Sequence, residues 1–157
     1  MSTEAALHNW VGLKCGCGNS AKHIPVDFML SLEGPPPVNE GDRWADNHAF
    51  IQSNLMQPAI ATASLIMSAF AEGVPQGHRR QLFVVLHALV NGEQDDVADE
   101  CLRVAEGGKW FLYEEISSGR DIDNAWYAYE ILELMSTEGG RLRFYTNEMR
   151  DNLPPDL

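Results

Sequence analysis

Two periodicities divide the chain. Between residues 10 and 28 the apolar positions alternate, with Val11, Leu13, Cys15 and Cys17 on one side of an extended segment and Ile24, Val26 and Phe28 on one side of another. Gly18-Asn19-Ser20-Ala21 between them is turn chemistry, so the pattern predicts a small N-terminal β-hairpin that has to pack on something larger. Leu30 and Leu32 extend the second strand as far as Gly34-Pro35-Pro36-Pro37, where prolines remove successive N–H donors. This gives a β element over 1–33 and a linker over 34–43.

From Trp44 the period becomes helical. Phe50, Ile51, Leu55 and Met56 suggest a first helix over 44–56, and Pro58 opens a second over 58–72 that is apolar on every side and therefore central. A third, 78–91, carries Leu82, Val85, Leu86 and Leu89 at i, i+3, i+4 and i+7. Thinner amphipathic segments follow at 95–106, 109–118, 124–136 and 141–152, the third of them capped by Asp123. Glycines punctuate the junctions after residue 72. Gly92 with Asp96 and Gly119 with Asp123 repeat one G-x-x-x-D spacing, 27 residues apart, as stacked helical hairpins would. The fold class expected is mainly α: an antiparallel helical-hairpin array of α-solenoid or HEAT-like type, residues 44–157, carrying the N-terminal β-hairpin.

Composition narrows the partners. The 157 residues contain 11 Lys and Arg against 23 Asp and Glu, a formal charge of −12, which disfavours phosphate backbones and anionic membranes. No window has the length of a membrane span and the first residues lack a leader pattern, so a cytoplasmic location is expected. The charge is uneven. Residues 93–123 hold ten acidic side chains against Arg103, Lys109 and Arg120, interleaved with Trp110, Phe111 and Tyr113 and followed by Trp126, Tyr127 and Tyr129. Acid around aromatic anchors is a design for gripping a basic protein: the field speeds encounter and buried rings supply affinity. The partner-binding set expected on this basis is Glu93, Asp95, Asp96, Trp110, Tyr113, Glu114, Asp121, Asp123, Trp126 and Tyr127, centred on two turns that point the same way if the hairpins stack. A small acidic inhibitor without catalytic motifs, of the type of bacterial immunity proteins that neutralise a toxin enzyme, is the function expected; that comparison is one of class.

The chemistry-bearing residues are few. His8, Cys15, Cys17 and His23 form a candidate zinc set, because thiolates and imidazoles together suit a tetrahedral ion. A C-x-C pair on a straight strand holds its sulfurs too far apart, and Gly16 is the residue that could bend it. A zinc-binding regulatory module built on the Cys15/Cys17 hairpin is accordingly the alternative function, zinc being the one cofactor considered. Asp95-Asp96-Val97-Ala98-Asp99 spells a magnesium-binding D-D-x-x-D, but carboxylates at a helix start are explained by the helix dipole. His78-Arg79-Arg80 is the one compact basic cluster, and His87 lies within an apolar helix. No catalytic triad or phosphate loop is legible, so no enzymatic activity is expected.

Overall fold

The uncharged run that begins at Pro58 forms helix α3 (Ala59–Glu72) in a computed structural model describing residues 1–36 and 44–157, and it is buried along most of its length. Helices α1 (Ser2–Leu7) and α2 (Ile24–Glu33) lie against it on one side. On the other stand α4 (Gln76–Val90) and α5 (Asp95–Gly107), then α6 (Lys109–Ser118), α7 (Ile122–Glu133) and α8 (Gly139–Glu148). The molecule is mainly helical with a small two-stranded antiparallel sheet. No helix among the described residues is long and apolar enough to cross a membrane.

The apolar stripes do what their spacing implies. Leu82, Val85, Leu86 and Leu89 of α4 are fully buried, and α5 turns Ala98, Cys101 and Ala105 inward. Glycines in left-handed conformation end α3 and α6, at Gly73 (φ 83°) and Gly119 (φ 60°). The cap of α7 differs from expectation. Asp121, not Asp123, accepts the Asn124 N–H at 2.9 Å, which starts the helix two residues earlier. The segment expected over 141–152 is helical over Gly139–Glu148 and ends in a 3-10 turn, Arg150–Asn152.

Two predicted elements are corrected. The N-terminal β-hairpin does not form: residues 10–20 are turns with one isolated bridge, Lys14 to Ser20, and Ile24–Glu33 is the helix α2. Ile24 and Phe28 satisfy a period of two and a helical i, i+4 spacing equally. Val26 separates the readings, because a strand would bury it with them, whereas it is exposed. Pro25 occupies the first turn of α2, where its missing N–H costs nothing. The helix expected over 44–56 is instead a tight hairpin, β1 (Phe50–Ile51) and β2 (Asn54–Leu55), pairing Phe50 with Leu55 and turning through Gln52 at φ 56°. Of the predicted linker, residues 37–43 lie outside the described residues.

The hairpin clamps the turn between α4 and α5. Glu93 donates its N–H to Ser53 O at 2.9 Å, Leu55 donates its N–H to the Gln94 side chain at 2.6 Å, and Ser53 Oγ bonds the Glu93 carboxylate. Leu55 packs onto Gly92 so closely that a Cβ there would overlap the leucine's branch point. Gly92→Ala is therefore expected to cost about 1–3 kcal/mol through overpacking. Urea unfolding of the variant checks this, with recovery of part of the loss in Gly92→Ala/Leu55→Ala.

The C-terminal helices meet at Glu138, a buried carboxylate receiving Lys109 Nζ at 2.6 Å and Tyr113 Oη at 3.0 Å. The lysine bond holds the Glu138 carboxyl below the usual carboxylate range. A carboxyl depressed on folding contributes stability above its unfolded pKa and loses it as pH falls through the folded value. Glu138→Gln should lower stability at neutral pH and flatten the acid side of the stability curve, below about pH 5, in denaturant titrations of both proteins.

Candidate metal centre

Cys15, Gly16, Cys17, Gly18 and Asn19 make a tight turn closed by Cys15 N–H to Asn19 O at 2.8 Å and Gly18 N–H to Cys15 O at 3.0 Å. Bending here removes the objection a straight C-x-C strand would face. Gly16 is required by proximity: its N–H bonds His48 O at 2.9 Å, and a Cβ would stand 2.7 Å from Asn47 O. His23 arrives from the 3-10 turn Ala21–His23, and His48 from the loop ahead of β1.

These segments bring four donor atoms together. The ligand atoms of Cys15, Cys17, His23 and His48 all lie within 4.8 Å of one another. Cys15 Sγ is 3.2 Å from His48 Nδ1 and 3.6 Å from His23 Nε2, and the two nitrogens are 3.1 Å apart. Zinc with Zn–S of about 2.3 Å and Zn–N of about 2.0–2.1 Å sets S and N ligands about 3.6 Å apart and two N ligands about 3.4 Å apart. The three separations among Cys15, His23 and His48 are therefore close to the edges of that tetrahedron, and Cys17 Sγ completes the set within 4.8 Å.

The surrounding bonds prepare the donors. His23 Nδ1 lies 3.1 Å from Ser20 O, so its proton belongs on Nδ1 and Nε2 is left bare toward the cluster, the outer bond that metal-binding imidazoles ordinarily have. Asn19 Nδ2 donates to Cys17 Sγ at 3.6 Å. Burial and then the neighbouring His23 push the His48 pKa down, favouring the neutral, ligating form. Burial raises the Cys15 thiol, while the Asn19 backbone amide draws the Cys17 thiol down. An ion here would deprotonate both sulfurs.

Three of the four predicted zinc candidates are in the cluster and one is not. His8 caps its own end of α1, with Nε2 3.1 Å from Glu4 and its ring edge-on to Trp10 at 5.6 Å. His48 takes its place. C-x-C-x5-H supplies three ligands, but nothing in the spacing chooses among the remaining histidines, and the fourth is reached only once the segment before β1 folds back onto Gly16.

The expected acidic and aromatic surface is divided. Tyr113 belongs to the core, 1% exposed, against the Tyr145 ring at 4.5 Å. Trp110 is 54% exposed, with the Arg141 guanidinium 4.8 Å above its ring. Trp126 and Tyr127 are half-buried against His87, at 5.8 and 5.3 Å between ring centres. Glu114 is held by Arg120 at 2.5 and 2.6 Å, Asp123 pairs with Arg80, and Asp121 is the helix cap. The two turns stand at opposite ends of α4. Gly119–Asp123 lies beside Arg80 near the start of α4, whereas Glu93–Asp96 follows its end, and the 15 residues of α4 span about 22 Å. Glu93, Asp95, Asp96 and Asp99 are exposed at that second end.

No protein-family model, curated protein or solved structure matches this chain.

Proposed function

We propose that the protein is a non-catalytic zinc-binding module, with Cys15, Cys17, His23 and His48 as a closed four-ligand site that fastens the N-terminal segment and the β1–β2 hairpin to the helices. The observation that carries this reading is the gathering of four soft and borderline donors from three segments within 4.8 Å of one another, three of them at separations close to the tetrahedral edges of zinc. Filling all four positions with protein atoms is the pattern of structural sites, since catalytic ones keep a position open. The test is metal analysis of the purified full chain, followed by cobalt substitution. One zinc per chain and the strong visible bands of tetrahedral cobalt bound to thiolate support the proposal. A chain that takes up neither ion overturns it.

A second reading concerns the partner. The exposed carboxylates Glu93, Asp95, Asp96 and Asp99, steadied by the hairpin's bonds to Glu93 and Gln94, favour capture of a basic protein in the manner of an immunity-type inhibitor, with the helical hairpins as scaffold. Association with a basic partner should then weaken steeply with salt and be reduced in Asp95→Asn/Asp96→Asn. Salt-independent binding would remove this reading.

A further inference from the structure

We propose that the Cys15-Gly16-Cys17 turn is an oxidation site at which a peroxide converts the two thiolates to a disulfide and thereby expels the metal. The inference rests on the zinc reading and adds to it a reaction and a class of oxidant.

Exposure of the ligands is unequal. Cys15 is 2% exposed, but Cys17 stands in solvent at the tip of the turn with Gly18 and Asn19 beside it. An oxidant reaches the Cys17 sulfur without any opening of the fold. The second thiol needed to complete a disulfide is already present, within 4.8 Å and on the same turn. Backbone bonds close that turn, Cys15 N–H to Asn19 O and Gly18 N–H to Cys15 O, so the sulfurs stay together when the metal leaves. The remaining thiol, Cys101, has no access: it is fully buried on α5, and burial pushes it up to about 12.

The steps balance as follows. The Cys17 thiolate attacks one peroxide oxygen, the O–O bond breaks, and the departing hydroxide takes a proton to become water, leaving a sulfenic acid on Cys17. The Cys15 thiolate then attacks the Cys17 sulfur, the S–O bond breaks, and the second hydroxide leaves as water after protonation. Sulfur loses two electrons and the peroxide gains them. With both thiolates consumed only the two imidazoles remain, and the ion is released.

The experiment uses the full-length, zinc-loaded protein treated with hydrogen peroxide in the presence of a chromophoric zinc chelator, with thiols mapped by alkylation and mass spectrometry. The expected result is release of the bound zinc together with loss of the Cys15 and Cys17 thiols as one internal disulfide. Cys101 should survive, and a dithiol reductant with added zinc should restore the site. Cys101→Ser should behave as the parent does. Retention of zinc and of both thiols under peroxide overturns the proposal and leaves the metal reading standing. Oxidation of Cys17 to sulfinic acid without a disulfide overturns it as well. A chain that takes up no zinc at all overturns both.

Discussion

Cys15→Ser and His48→Ala are expected to abolish stoichiometric zinc and to lower the melting temperature sharply, whereas His8→Ala keeps the metal. Structural zinc supplies about 10–16 kcal/mol of apparent binding energy in isolated finger peptides. Here the ligand-bearing segments also join the core of the helices through Cys15, Ala21, Phe50 and Leu55, so the loss should fall on the turn at 15–19, the 3-10 turn and the β1–β2 hairpin without unfolding the whole, and a cost of several kcal/mol is expected. His8 is the control that matters, because its ring bonds Glu4 and packs on Trp10, away from the cluster. Elemental analysis and thermal melts, each with and without a chelator, separate the variants. Loss of zinc in His8→Ala with retention in His48→Ala would contradict the ligand set described above.

The second large effect belongs to the ion network between α4 and α6. Glu115 is fully buried and accepts Arg79 Nε at 2.8 Å, a further bond from Arg79 Nη2, Arg120 Nη2 at 2.8 Å and Asn124 Nδ2 at 3.3 Å. Arg79 also lies over the Phe70 and Phe83 rings at 5.2 and 5.9 Å. Arg79→Met keeps much of the apolar stem and removes the charge, which leaves a desolvated carboxylate with half its support. The expected loss is about 3–5 kcal/mol. At this chain length that corresponds to a fall of roughly 2–4 °C per kcal/mol. Arg79→Met/Glu115→Leu should recover a good part of the loss, because a matched apolar pair no longer strands a charge. Arg120→Ala should cost less, since Arg120 bonds the exposed Glu114 as well as Glu115. Denaturant unfolding of the variants gives all three values.

The helical core was legible because its signals are redundant. In α3 the absence of charge before Glu72, the proline at its start and the glycine at its end agree, and α4 adds a full i, i+3, i+4, i+7 stripe. The N-terminal third was not. There the apolar positions are too few to separate periods: Ile24 and Phe28 fit both, and only the side of the chain taken by Val26 distinguishes them. The run from Phe50 to Met56 was ambiguous for the same reason, being shorter than a helix needs to show its stripe. Of the metal centre, the thiols and His23 could be read from their types and proximity in sequence. His48 could not, because its place depends on a chain reversal that leaves no local mark. The acidic surface failed differently. Counting charges along the sequence cannot reveal that Glu114, Glu115 and Asp123 have arginine partners drawn from α4 and from the loop after α6.

The four tryptophans fall into two groups. Trp10 and Trp44 are buried in the N-terminal third, the cap that the β1–β2 hairpin completes, with Trp44 tilted against Phe28 at 4.6 Å, while Trp110 and Trp126 sit on the later helices in contact with water. Intrinsic fluorescence should thus report chiefly on the cap, a red shift marking its release. Far-ultraviolet dichroism, dominated by α3 to α8, follows the remainder. One unlabelled sample accordingly provides separate optical channels for its two parts, and disagreement between their transitions would measure how loosely the cap is joined.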